Sequence, residues 1–284
     1  MKKNIFFLLL LCTLGAASAQ AQQGNTQTLV QYLSGRGFDD TVKWEFFCTA
    51  GQNSGRWTTI NVPSCWEQQG FGAYTYGVYF YRKPTAPGIS TEQGKYKLHF
   101  GAPAEWRGRR VRIVFDGVMT DAEVRINEQK AGTHQGGFYR FAFDITNMLQ
   151  YGADNLLEVN VSKESDNESV NLAERRADYW NFGGIFRPVF LEVAPPLFVA
   201  RSAVDAKADG SFAVDVFLSE ASERQLSLAA QLVDAGGAAV GAAVAQVVPK
   251  GSDKLRLRTA LSNPKLWTAE TPNLYSVKIT LSEG

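Results

Sequence analysis

Val111-Arg112-Ile113-Val114-Phe115 and Glu123-Val124-Arg125-Ile126, with the turn signal Asp116-Gly117 between them, decide the fold class. Both runs alternate apolar and polar side chains closely enough for half-buried β-strands, and Asp-Gly suits a turn that demands positive φ. The same rule extends outward to Lys97-Leu98-His99-Phe100, Arg140-Phe141-Ala142-Phe143, Leu157-Glu158-Val159-Asn160-Val161 and Val189-Phe190-Leu191-Glu192-Val193. Gly136-Gly137, Tyr151-Gly152 and Gly183-Gly184 punctuate them. Phe115 and Phe141 are core candidates. One short helical turn is predicted over Asp144 to Gln150, with Asp144 as N-cap and Gly152 just beyond its end. Many short strands with little helix predict an all-β protein whose first domain is a jelly-roll sandwich.

A boundary is predicted at Pro195-Pro196, because neither proline can donate to a ladder and each forces its predecessor toward extended geometry. Five of the six Trp precede it; Ala-, Val- and Ser-rich strands follow. Phe212–Leu218, Leu226–Val233, Ala242–Val248, Lys254–Thr259 and Tyr275–Leu281 read as strands of a smaller immunoglobulin-like sandwich. The domains are thus 28–195 and 197–284. The chain stops on a strand followed by a turn signal, Leu281-Ser282-Glu283-Gly284, which predicts an incomplete second sandwich lacking its return strand and a chain that is a piece of a longer protein.

The 284 residues carry 29 Lys+Arg against 28 Asp+Glu, and 45% are hydrophobic. So near-neutral a balance sets nucleic-acid binding aside. Lys2 and Lys3, the apolar run Ile5 to Leu14 and Ala17-Ser18-Ala19 have the order of a signal peptide over residues 1–19. The run is about half the ~20 residues a membrane span needs, so export to periplasm or medium is predicted, with no membrane anchor. Cleavage after Ala19, with Ala21 as the alternative site, leaves 265 residues. Losing two lysines moves the formal charge from +1 to −1. Cys48 and Cys65 remain, and a core of this size favours two buried thiols over a disulfide. With only His99 and His134 and no CxxC or HExxH, no metal site and no cofactor are predicted.

The longest polar connection runs from Ser162 to Asp178 and feeds Tyr179-Trp180-Asn181-Phe182-Gly183-Gly184-Ile185-Phe186-Arg187-Pro188. This suits either a binding rim or a loop that plugs one end of the sandwich. From Asp178 to Val189 the sequence closely resembles the signature that ends the N-terminal, galactose-binding-like sugar-binding domain of glycoside hydrolase family 2. Val62-Pro63-Ser64-Cys65-Trp66-Glu67, Gly77-Val78-Tyr79-Phe80-Tyr81-Arg82 and Phe115-Asp116-Gly117-Val118 with Ala122-Glu123-Val124 resemble further family blocks. Phe141-Ala142-Phe143-Asp144-Ile145-Thr146 and Gly152-Ala153-Asp154-Asn155-Leu156-Leu157 continue them in the family's order. Asn263-Pro264-Lys265-Leu266-Trp267 and Thr271-Pro272-Asn273-Leu274-Tyr275 resemble the end of its immunoglobulin-like domain. At Asn127-Glu128 the chain departs from the family's frequent Asn-Gly; Glu tolerates positive φ poorly, so a tight primed turn is not predicted there.

The resemblance implies a retaining glycosidase of the β-galactosidase, β-glucuronidase or β-mannosidase kind, acting on a β-glycoside. Its two catalytic glutamates lie on a TIM barrel that would follow this region. No barrel pattern is present, and no catalytic residue is assigned to this chain. Glu164 and Asp166, the nearest acidic pair, read as part of a solvated charged run. The family's aspartate that reaches into the barrel's sugar subsite corresponds to Asp178, with Trp180 as a stacking or wall surface beside it; the bland alternative is that Asp178 caps its own loop. A β-galactosidase asparagine contact aligns near Tyr74, which weighs against simple β-galactosidase specificity. Arg187 reads as a buried cation paired to a carboxylate rather than a substrate clamp. Two alternatives stay open: a stand-alone carbohydrate-binding module, and a structural module buttressing a barrel. The oligomeric state, monomer or homo-oligomer, also stays open.

Overall fold

The computed structural model describes residues 27–78 and 90–283. The expected leader at 1–19 and Tyr79–Arg82 of the strand block lie outside the described residues. The chain divides between Pro195 and Pro196 into two compact units.

The first unit contains β1 (Leu29–Tyr32), β2 (Val42–Cys48), β3 (Trp57–Val62), β4 (Thr75–Tyr76), β5 (Gln93–Ala102), β6 (Arg110–Phe115), β7 (Asp121–Ile126), β8 (Gln129–Gln135), β9 (Phe141–Asp144), β10 (Ala153–Ser162), a helix α1 (Glu168–Glu174), β11 (Trp180–Asn181) and β12 (Val189–Ala194). Two antiparallel sheets face each other, ordered β1-β12-β6-β9 and β3-β2-β5-β10-β7-β8. Period-two alternation sends Ile113, Phe115 and Leu191 inward from the first sheet, and Phe46, Tyr96, Val124, Leu157 and Val159 inward from the second. Phe115 and Phe141 are both buried and stack at 4.9 Å between centroids. The core stays continuous because each strand buries every second side chain, as in β7, where Ala122, Val124 and Ile126 alternate with half-buried polar residues.

The second unit contains β13 (Val199–Ala206), β14 (Ser211–Leu218), β15 (Leu226–Val233), β16 (Ala239–Val248), β17 (Lys254–Ala260) and β18 (Ser276–Glu283). These form sheets β13-β14-β17 and β16-β15-β18 around Phe212, Val214, Val216, Leu228 and Leu257. The turn signal at Ser282-Glu283 does not make a turn: both residues stay in the ladder, opposite Ser227 and Leu226 of β15.

Four further expectations change in the structure. Asn127 and Glu128 both adopt positive φ, 48° and 67°, between Ile126 and its partner Gln129, so the hairpin closes on a tight primed turn after all. Asn127 makes this affordable: its Nδ2 donates to Met148 O at 2.9 Å and to Asn155 Oδ1 at 2.8 Å, and its Oδ1 accepts from Leu156 N at 2.9 Å. The Ser162–Asp178 segment is no solvated loop. It holds α1, N-capped by Asn167, whose Oδ1 accepts from Ser169 N at 3.0 Å, and it buries Lys163, Ser165, Asn171, Glu174 and Arg175. The helical turn at 144–150 is a short 3₁₀ turn, Thr146–Met148, with Asp144 Oδ1 accepting from Thr146 N at 3.0 Å. Arg187 is exposed; its Nη1 donates to the carbonyls of Asp116 and Phe138 at 3.4 and 3.3 Å rather than to a carboxylate.

Cys48 and Cys65 are free, buried thiols. Burial, aided by the nearby Glu67 charge, pushes the Cys65 thiol up to about 12.

Candidate substrate-contact site

The aromatic segment is shaped by a two-residue ribbon. β11 pairs with β4, setting Trp180 opposite Tyr76 and Asn181 opposite Thr75. Beyond it, Gly77 N donates to Tyr179 O and Val78 N to Ala177 O, each at 2.9 Å. The pairing brings the Tyr76 and Trp180 rings to 4.9 Å, nearly perpendicular. Tyr74 adds its edge to Trp180 at 5.8 Å and to Phe182 at 6.0 Å. Asp178 is exposed at the start of this segment, and the Tyr76 hydroxyl donates to its Oδ1 at 2.8 Å. Trp180 and Tyr74 remain 49% and 54% exposed, so their faces are available to a ligand.

The ribbon rests on a buried ionic cluster that joins distant parts of the chain. Lys163, at the end of β10, reaches Glu67 Oε1 at 2.6 Å and Glu92 Oε1 at 3.5 Å, and its Nζ also donates to Ala73 O. Glu92 accepts in addition from Trp66 Nε1 at 2.6 Å and from Ala73 N at 2.9 Å. Both oxygens of Glu67 accept from Gly183 N at 3.1 Å, so the first glycine of the double-glycine turn is held by a carboxylate. Burial pushes the Glu67 carboxyl upward, and Lys163 works against that shift. Arg175, its guanidinium pKa lowered by burial, donates from Nη2 to Lys163 O at 2.7 Å and to Phe182 O. Asn181 Nδ2 in turn donates to Arg175 O at 2.7 Å. The cluster therefore fixes both ends of the segment that carries Asp178 and Trp180.

The arrangement combines an exposed carboxylate and open aromatic rings with paired carboxylates that are closed to solvent. Asp178 offers acceptor oxygens beside aromatic edges, the chemistry of a directional hydroxyl contact with an apolar wall. Glu67 and Glu92, the two carboxylates brought together by one cation, have side chains 0% and 5% exposed, so no glycosidic oxygen can reach them.

Asp178 and Trp180 thus come together on one surface. Tyr76, which orients Asp178, carries only a faint mark in the sequence, the period-two alternation of Tyr74 and Tyr76 before Gly77. Lys163 was hidden in the charged run Lys163-Glu164-Ser165-Asp166, where composition suggests solvent.

Two family descriptions cover most of the chain. "Glycosyl hydrolases family 2, sugar binding domain" matches residues 41–195 and "Glycosyl hydrolases family 2" matches 196–284. The chain is similar to a β-galactosidase of Priestia megaterium, 32% identical over 247 residues that are 81% of this chain and 23% of the relative. It is also similar to a putative β-glucuronidase of Formosa agariphila, 28% identical over 235 residues, 81% of this chain and 27% of the relative. The chain therefore spans about a quarter of the length of these relatives. Among solved structures, a glycoside hydrolase family 2 β-glucuronidase matches with a TM-score of 0.67 at 24% identity, covering 91% of this chain and 29% of that one. A putative β-galactosidase from Bacteroides fragilis also gives 0.67 at 24% identity, over 89% of this chain and 38% of that one. At such identity these two likenesses speak for the fold alone.

Proposed function

Because the chain belongs to glycoside hydrolase family 2, we propose that it acts as the non-catalytic N-terminal region of an exported, retaining, β-galactosidase-like enzyme whose hydrolysis of O-glycosidic bonds is carried out by a catalytic barrel in further sequence. In this reading Asp178 and Trp180 extend from the first unit to contact the sugar, and the second unit connects that unit to the barrel. The reading is carried by one observation: Asp178 stands exposed, bonded by Tyr76 at 2.8 Å and beside the open Trp180 ring, on a segment anchored by buried charges. A side chain held so firmly at a surface suits a ligand contact better than a local loop cap. The β-galactoside class is supported by the Priestia megaterium relative, and export by Lys2, Lys3 and the apolar run ending at Ala17-Ser18-Ala19.

The test begins with the native product in source cells, detected with an antibody raised to residues 28–195. A species far larger than 284 residues, lacking the leader and active on β-galactosides, is the expected result. A species of this size with no activity, or a large enzyme that turns over β-galactosides at an unchanged rate when Asp178 becomes Ala, overturns the reading.

A further inference from the structure

The larger sheet of the first unit presents its outer face as one ordered row. Trp57 of β3, Phe47 of β2, Lys95 of β5, Asn160 of β10, Glu123 of β7 and Thr133 of β8 lie opposite one another in register, strand by strand. Their chain neighbours Phe46, Tyr96, Val159 and Val124 are buried, so the alternation of the strands turns the named residues outward. Five interstrand steps make the row roughly 24 Å long.

The two ends of the row differ in chemistry. At one end Trp57 is 47% exposed and packs its ring against Phe47 at 5.6 Å, while the Lys97 ammonium sits 5.2 Å from the indole centroid. Toward the other end the face hollows into a cleft of about 700 Å³, lined by Gln93, Asp121, Glu123, Thr133, Asn160 and Ser162 among others. Amide, hydroxyl and carboxylate groups dominate this lining. Asp121 Oδ2 accepts from Gln135 Nε2 at 3.2 Å and Asp166 N at 2.9 Å, but its Oδ1 has no donor among the described residues. His134, stacked on Phe141 at 4.0 Å, also lines the cleft, and its Nε2 lacks a partner too.

We infer that this face binds an extended, neutral polysaccharide chain, with Trp57 stacking on one sugar ring and the Asn160–Glu123–Thr133 cleft hydrogen-bonding the hydroxyls of rings further along. A half-exposed indole offers a flat apolar face suited to the C–H side of a sugar. Carboxylate and amide oxygens accept from hydroxyl groups, and a cleft of this size accommodates a small-molecule-sized portion of the chain. At the cleft Asp121 and Asp166 disfavour uronate-rich chains, Glu123 being paired with Lys130 at 3.0 Å and Arg125 at 3.4 Å; toward the indole Lys97 is engaged by Glu158 at 3.0 Å and Lys95 lies 5.9 Å from the Phe47 ring. Strands β2 and β5 separate the indole from Asn160, so a ligand that reaches both must be a chain rather than a monosaccharide.

The test uses the 284-residue chain in native gels containing β-1,4-galactan, with polygalacturonate as the acidic comparison. Retardation by galactan and none by polygalacturonate is expected. Trp57→Ala and Asn160→Ala should each weaken the galactan affinity at least tenfold, with thermal melts close to the parent. Trp267→Ala, which removes an exposed indole of the second unit, should leave it unchanged. Asn160→Ala keeps the test decisive if Trp57→Ala fails to fold. Absence of retardation, retardation unaffected by both sheet-face variants, loss in Trp267→Ala with retention in Trp57→Ala, or equal retardation by polygalacturonate would each overturn the inference.

Discussion

The Tyr76 hydroxyl donates to Asp178 Oδ1 at 2.8 Å, across a ribbon in which Tyr76 faces Trp180 directly. The bond fixes which way an otherwise solvent-exposed carboxylate points. In an enzyme carrying this region on a catalytic barrel, Asp178→Ala is expected to lower kcat/KM by the worth of one hydrogen bond made in the transition state, roughly 2 to 4 kcal/mol. Tyr76→Phe should cost less, about 1 kcal/mol or roughly fivefold, because solvent can partly replace the lost donor. If the two act through one contact, the double variant should be no worse than Asp178→Ala alone. Additive losses measured by steady-state kinetics would refute that coupling.

Lys163 sits between Glu67 and Glu92 with no exposed side-chain surface. Removing the cation strands two carboxylates in the interior, and breaking such a pair costs about 3 to 5 kcal/mol. Lys163→Met should therefore lower the urea midpoint of the first unit sharply, whereas adding Glu67→Gln and Glu92→Gln should recover much of the loss. A triple variant no more stable than Lys163→Met would show that the loss comes from packing of the lysine stem rather than from uncompensated charge.

How far the sequence could be read follows from what each element depends on. β7 and β10 were legible because their burial is set by their own alternation, with Val124, Ile126, Leu157 and Val159 all turned inward. β13 was not, because almost all of its residues are exposed and no apolar period marks it. Asp178 and Trp180 stand out only through the family resemblance of their segment, since nothing in their spacing reveals the partner strand that carries Tyr76. The buried cluster was illegible for a different reason. Lys163, Glu67 and Glu92 lie far apart in the chain, and only the fold turns a charged run into an interior ion group.

The Asn127-Glu128 turn separates local propensity from tertiary demand. Glu128 occupies φ 67°, where a side chain bears a steric cost that glycine avoids. Glu128→Gly should raise stability by about 1 kcal/mol, since the Arg125 Nη2 contact goes to the backbone carbonyl of residue 128 and survives the change. Asn127→Gly should lower it despite relieving φ 48°, because three side-chain hydrogen bonds disappear. Thermal melts of the two variants moving in the same direction would contradict this division.

Cys65, with its thiol pushed up to about 12, should resist alkylation at pH 8 in the native state and react once the chain is unfolded in urea. The folded state holds this proton more tightly than the unfolded chain, so its contribution to stability is complete below the ordinary thiol value. It declines as pH rises from about 8.5 toward 12. The stability difference between the parent and Cys65→Ala should accordingly narrow between pH 8 and pH 11. A difference independent of pH would mean that the thiol's burial does not govern its ionisation.

Gly183 shows why a double glycine stands under the aromatic segment. Its backbone is not in the left-handed region, so conformational freedom is not the reason; a Cβ at this position would fall within the Trp66 indole. Gly184 adds the other requirement, with φ 137° and the Ser64 carbonyl close beside it. Gly183→Ala must displace Trp66, which donates to Glu92, and with it the adjacent Glu67, whose carboxylate accepts from Gly183 N. The expected cost is about 3 kcal/mol, the upper part of the range for overpacking a filled core. Tryptophan fluorescence should shift toward that of a less buried indole, and the β11–β4 pairing that holds Asp178 beside Tyr76 should loosen in parallel, because the same turn fixes β11. A melt within 1 °C of the parent would show that Trp66 can move aside without disturbing the segment it supports.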